Sequence, residues 1–310
     1  MQVIDGTRPD LKNIHFKWSK NIKPVASVKN GEIISVLIPE SSTMQVKEDS
    51  TVEDFKNMDT SILDAAVGPI FVEGAKEGQV LRIDILEILV GSWGWTSTEK
   101  SAPLIRNRFE NNLVIWTLKD NFGESRSNFL KGTRIPLNPF LGVMGVAPKE
   151  GEYSTIPPDY FGGNIDNKLL TAGSSLFLPI SVEGALFSVA DPHAAQGDGE
   201  SGSTGLETSA TAVLRLSVDN VRQKAIRFPR AMTRINGQEH LVTMGIHTDL
   251  YEASKIAMEE MIDELSGRGY SGAEAYMLCS LVGDLKISEL VDEPNHVVTM
   301  AVPTGLLLQK

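Results

Sequence analysis

LRIDILEI, from Leu81 to Ile88, is the stretch on which the fold turns. Leu81, Ile83 and Ile85 alternate with Arg82 and Asp84, the period of two by which a pleated strand keeps one apolar face and one wet face. Working outward, the chain repeats short apolar or alternating runs at 33–38, 70–72, 113–118, 176–180, 185–189, 213–218 and 241–246, broken by Gly, Pro, Asn and Asp. Strands at this spacing predict a sandwich or barrel. The period changes at 248–269, where Leu250, Ala253, Ala257, Met261 and Leu265 share one helical face, with Thr248 placed to cap the start and Gly267 and Gly269 to end it. Ser271-Gly-Ala-Glu274 reads as a capping box opening a second helix through about Leu281, and 297–302 as a last strand. The expected fold is therefore mostly β (α+β). A sandwich- or barrel-like body over 1–247 is followed at 248–310 by a helical hairpin and final strand, packed on the body as one continuous domain.

At 310 residues the chain can bury a large core, and its 41% hydrophobic and 22% charged residues are those of an ordinary globular protein. No run reaches the roughly 20 apolar residues of a membrane span. The opening MQVIDGTRPDLKNIHFKWSK lacks the apolar core and small-residue cleavage site of a signal peptide. A single cysteine, Cys279, leaves no internal disulfide and suits a reducing cytosol, so a cytoplasmic protein is expected. A net charge of −11 without a basic stripe speaks against a nucleic-acid partner.

Chemistry concentrates in Asp191-Pro-His193-Ala-Ala-Gln196-Gly-Asp198-Gly-Glu200, which packs three carboxylates and an imidazole into ten residues. Gly197 and Gly199 free the backbone to aim Asp198 and Glu200 at one point. Such a set can supply a base for water and a donor for a leaving group, or bind a metal that does more. The plainer reading is a calcium-like structural loop, or a turn whose carboxylates cap backbone amides. Upstream, Phe161-Gly-Gly-Asn164-Ile-Asp166-Asn167 sets polar side chains behind a glycine pair; an Asx-rich turn explains it as simply. Runs 176–180 and 185–189, joined through Ser181-Val-Glu-Gly184, separate the two segments. Paired as a hairpin, they would bring both polar segments out at one end.

Four segments resemble the acetamidase/formamidase family in order and spacing. They are GPIFVEGAKEGQVLRIDILEI from Gly68, PFLGVMGVAP from Pro139, GGNIDNKLLTAGSSLFLPISVEGALFSVADPHAAQGDGE from Gly162, and EMIDELSGRGYSGAEAYMLCSLVGDLKISELVD from Glu260. The resemblance implies a mostly β fold with a sandwich-like body and a homodimer or higher homo-oligomer. It also implies hydrolysis of a short aliphatic amide, of formamide or acetamide type, to the acid and ammonia. A non-catalytic small-molecule binding protein on the same scaffold, or a hydrolase of another C–N bond, are the alternatives. Asn164 and Asp166 match the family's Gly-Gly-Asn pattern, His193, Asp198 and Glu200 its HxxxGDGE block, and His15 a histidine near family N-termini. Two places depart from it. Phe161 stands where many members have histidine, and Ser201-Gly202-Ser203 where many have Val-Cys-Gly. A cysteine nucleophile in that loop is thereby excluded.

On this reading Glu200 is the base that activates water, Asp198 its partner or a ligand, and Asn164 orients the amide. His193, Asp166 and His15 are candidate ligands for a divalent metal such as zinc. Cys279, among Met277, Leu278 and Leu281, reads as a small buried hydrophobe. His240, His247 and His296 read as surface or capping groups. Trp93-Gly-Trp95 reads as core, pocket wall or subunit contact, and no GxSxG elbow is present.

Overall fold

The computed structural model describes residues 1–219 and 226–307. Among these, most strands fall into two large sheets. The nine-stranded sheet runs in spatial order Gln2–Asp5, Glu32–Ile38, Ala210–Val218, Val80–Val90, Ser175–Pro179, Arg230–Ile235, Gln238–His247, His296–Pro303 and Asp284–Glu289. The eleven-stranded sheet is organised by Phe187–Ala195. One edge of that strand pairs with Phe140–Gly145; the other pairs with Ala66–Val72 near its start and with Leu206–Glu207 near its end. Both sheets feed one apolar core: Ile34, Ile83, Leu176 and Leu214 from the first meet Val67, Leu141, Met144 and Phe187 from the second. This is a sandwich with a helical hairpin attached.

Leu81, Ile83 and Ile85 are fully buried while Arg82 faces out, as the alternation requires. The phase then breaks. Opposite Val213 and Leu214 the register shifts, leaving Leu86 as the extra, exposed residue of a bulge between Ile85 and Glu87, and beyond it Leu89 faces solvent.

Asp249, rather than Thr248, caps the helix Leu250–Ser266, its carboxylate accepting from Tyr251 and Glu252 N–H. The Ser271–Glu274 capping box forms and opens Gly272–Val282. Ala253, Ala257, Met261 and Leu265 pack onto Leu241, Val298 and Val302. Gly245 permits this close seat, since a Cβ there would lie 1.9 Å from the Ala253 carbonyl oxygen. Glu260, on the same helix, is buried and paired with Arg230 at 2.8 Å. No helix among the described residues is long and apolar enough to cross a membrane.

The expected hairpin does not form. Ser175–Pro179 lies in the nine-stranded sheet between Val80–Val90 and Arg230–Ile235, whereas Phe187–Ala195 lies in the other sheet. The link turns between layers through Gly184, Ala185 and Leu186, all at positive φ. Residues apolar on both sides are equally at home in either layer, so the pattern alone could not assign partners.

Candidate active site: a buried acidic centre around His193

His193 sits in the strand Phe187–Ala195 rather than in a loop, opposite Phe140 on one side and Glu207 on the other. Its ring is 1% exposed and makes a T-shaped contact with Phe140. His193 Nδ1 lies 2.6 Å from Gln196 Oε1. Gln196 Nε2 donates to the Asp166 carbonyl oxygen at 2.9 Å, so Oε1 is an acceptor and Nδ1 carries a proton. Nε2 therefore faces the carboxylates: Glu207 Oε2 at 3.0 Å, Asp191 Oδ2 at 3.1 Å and Glu200 Oε1 at 3.8 Å.

Around this imidazole gather Asp64, Asp166, Asp191, Glu200, Glu207, Glu289 and Asp292, all buried except the half-buried Asp292. No lysine or arginine among the described residues pairs with any of them. Three sets place one ligand atom per residue within 4.8 Å of one another: Asp166, Asp191 and His193; His193, Glu200 and Glu207; Asp166, Glu200 and Asp292. At 4.8 Å two like charges repel by about 3.5 kcal/mol at an effective dielectric of ~20. The group cannot stay fully ionised without protons or a cation. Burial first, then neighbouring carboxylates, drive Asp64 and Glu200 well above the ordinary range. Asp191 rises to about 6, Asp166 to about 7 and Glu289 to about 8, burial being the main cause in each. Burial alone would depress His193, but Asp191 and Glu207 outweigh it and raise the ring well above its usual value.

The backbone is shaped for this crowding. Asp64, Asp166, Asp191 and Glu200 all adopt positive φ, between 36° and 51°, which costs a non-glycine residue on the order of 1–3 kcal/mol each and concentrates at functional sites. Gly142 passes directly behind the centre; a Cβ there would lie 2.3 Å from Asp166 Oδ1 and 2.8 Å from Asp191 Oδ2.

The two polar segments do meet, by a different route from the hairpin. Gly162–Asn164 pairs with Phe140–Gly145, which pairs with Phe187–Ala195, so three adjacent strands carry Asp166 to His193. Asn164 is buried there, with Nδ2 donating to Asp292 Oδ2 at 2.8 Å. One of its two hydrogens thus holds a carboxyl group. Asp198 is exposed and pairs with Lys168 at 2.9 Å; Gly199, at φ +87°, separates it from the inward Glu200. His15 is also apart: Nε2 lies 2.7 Å from Ser188 Oγ, its ring packs on Trp18, and burial lowers it to about 4, so it is neutral and makes no ion pair among the described residues. Phe161 belongs to an aromatic cluster with Trp18, Tyr153 and Tyr160. Trp95 is core and donates to Glu40 at 2.7 Å, and Cys279 is buried with its thiol raised by burial.

Beside the centre opens a cavity of about 430 Å³, walled by Trp116, Ile135, Pro136, Leu206, Gly202 and Glu200, among others. Glu200 is the one carboxylate that belongs both to this wall and to the buried cluster. Asp64, Glu207, Glu289 and Asp292 lie outside the motifs singled out for chemistry. Glu289 and Asp292 arrive because Gly199 N–H bonds the Ser288 carbonyl, tying the edge strand Asp284–Glu289 to the GDGE turn. Their one signal is an acidic residue inside the apolar run SELVD.

The profile of the acetamidase/formamidase family matches residues 4–151 and 150–308. The chain belongs to the acetamidase/formamidase family, a class of amidohydrolases. It is 25% identical to a formamidase of Methylophilus methylotrophus over 94% of this chain and 89% of that one, and 23% identical to an acetamidase of Mycolicibacterium smegmatis over 85% and 84%. Its fold superposes with a TM-score of 0.88 on a predicted acetamidase/formamidase of Thermoanaerobacter tengcongensis, 31% identical over 99% of this chain and 96% of that one.

Proposed function

We propose that the acidic centre hydrolyses a primary amide, the class to which formamide and acetamide belong, to carboxylate and ammonia, with Glu200 activating water. The observation that carries the reading is the position of Glu200, 3.8 Å from His193 Nε2 and in the wall of the cavity. A buried carboxylate with a raised pKa is, once ionised, a stronger base than an exposed one. Glu200 takes a proton from water as the oxygen adds to the amide carbonyl carbon. It returns that proton to the nitrogen as the C–N bond breaks, releasing ammonia and the acid.

Asp166, Asp191 and His193 fit a divalent cation. Asp191 Oδ1 and both Asp166 carboxylate oxygens are buried and lack a hydrogen-bond donor, apart from the Asp292 carboxyl that can share a proton with Asp166. Gln196 fixes the Nδ1–H form of His193, which leaves Nε2 as the ligating atom. Imidazole with carboxylates suits zinc or a similar ion, which when bound would polarise the amide carbonyl. Asn164 holds Asp292 in place. Ammonia release from formamide or acetamide by the purified protein tests the reading. Binding of either amide without release would identify a binding protein instead.

Gly142→Ala would push apart Asp166 and Asp191. Divalent-ion affinity and turnover are expected to fall together by roughly 10- to 100-fold, the scale of disturbed ligand support; unchanged ion titration and rate would contradict this. The same centre sets a pH signature in the metal-free protein. Asp191, Asp166 and Glu289 have folded values of about 6, 7 and 8, above their unfolded 3.8 and 4.5. The folded state therefore binds the extra protons, and the stability they confer is complete below about pH 4 and lost as pH rises toward about 8. The thermal midpoint of metal-free protein should drop by on the order of 5 °C or more across that window, and less with added divalent ion. A midpoint that climbs with pH in metal-free protein would refute the assignment.

A further inference from the structure

We infer that the preferred amide carries an apolar acyl group well beyond acetyl, of about five to eight carbons or an aryl ring, seated in the cavity beside Glu200. This rests on the hydrolytic reading above and specifies its substrate class. Acetamide has four non-hydrogen atoms. At ~30 Å³ of liquid volume per water-sized group it fills on the order of 100 Å³. The cavity is about 430 Å³, inside the ~300–1,000 Å³ range of sites that enclose much larger ligands.

Its lining is as informative as its size. Trp116, Ile135, Pro136, Ala195 and Leu206 supply apolar surface, and Glu200 is the one charged side chain among the lining residues. Three of these come from different strands, Asn112–Lys119, Arg134–Pro136 and Leu206–Glu207, so the wall is set by the sheet itself. The orientation follows from proton supply. The leaving nitrogen needs a proton; Glu200, which returns it in the reading above, belongs both to the wall and to the buried cluster, and no other lining residue carries an acid. The nitrogen therefore faces the acidic centre, and the acyl substituent extends into the cavity.

Each methylene buried there is worth ~0.8 kcal/mol, or about fourfold in kcat/KM. The test measures kcat/KM by ammonia release for formamide, acetamide, hexanamide and phenylacetamide, and by hexylamine release for N-hexylacetamide. Hexanamide or phenylacetamide is expected to exceed acetamide by about 10²-fold, with N-hexylacetamide well below hexanamide. Gly202 lines the cavity, and an added Cβ would meet nothing within 4 Å. Gly202→Phe should therefore cut the hexanamide-to-acetamide ratio at least tenfold. Ile135→Ala, which removes apolar wall without filling space, should lower the same ratio severalfold. Rates that peak at formamide or acetamide and decline with chain length would overturn the inference while leaving the hydrolytic reading intact. A preference for N-hexylacetamide would overturn the orientation. If no amide is turned over by protein loaded with divalent ion, the underlying reading fails.

Discussion

Glu200→Gln is expected to leave the fold intact and to lower amide turnover by roughly 10²-fold or more, the scale of losing a general base. The substitution keeps the shape of the side chain and removes only its ability to accept a proton. It also removes one ionisable group from a cluster of seven carboxyls that has a single imidazole to balance it, so stability should hold or rise. A drop in rate with an unchanged or higher thermal midpoint separates loss of the base from loss of the fold. A folded Glu200→Gln protein with near-normal activity would remove Glu200 from the chemistry.

The second large effect is expected at His193. His193→Ala should strip bound divalent ion and activity together, each by at least about 10²-fold, beyond the ~10- to 100-fold that follows loss of a ligand's supporting partner. Its Nε2 faces Asp191 and Glu207 at 3.1 and 3.0 Å, and no other cationic side chain among the described residues reaches them. Metal content of the purified variant, with circular dichroism as the control for folding, checks this beside the rate. A variant that is folded and active while free of metal would overturn the ligand assignment.

Part of this arrangement was legible in the chain. Leu81, Ile83 and Ile85 announced a one-sided strand, and Ser271 with Glu274 announced a helix start, because both signals are local and depend on backbone geometry alone. The GDGE turn was legible as a candidate site, but its two acids were not distinguishable by type. Gly199 in the left-handed region sends Glu200 inward and leaves Asp198 to Lys168, which spacing alone does not reveal.

Other features were beyond the reach of sequence for physical reasons. Asp64, Glu207 and Asp292 are brought to His193 by three different connections, and no short-range pattern marks Asp64 or Asp292, which lie 129 and 99 positions from it. Strand pairing failed for the same reason. Ser175–Pro179 is buried on both sides, so its apolar run fits either sheet, and the turn at Gly184–Leu186 decided the matter. His15 carried a family signal, yet its ring hydrogen-bonds Ser188 at the far end of the strand that bears His193.

The most direct test is to quantify the metal in purified protein and to measure ammonia release from acetamide and hexanamide before chelation, after it, and after titrating zinc back. The expected result is near-complete loss of ammonia release on chelation and recovery in proportion to the ion rebound. Undiminished ammonia release from protein verified to be free of metal would contradict the metal-assisted reading of the His193 centre.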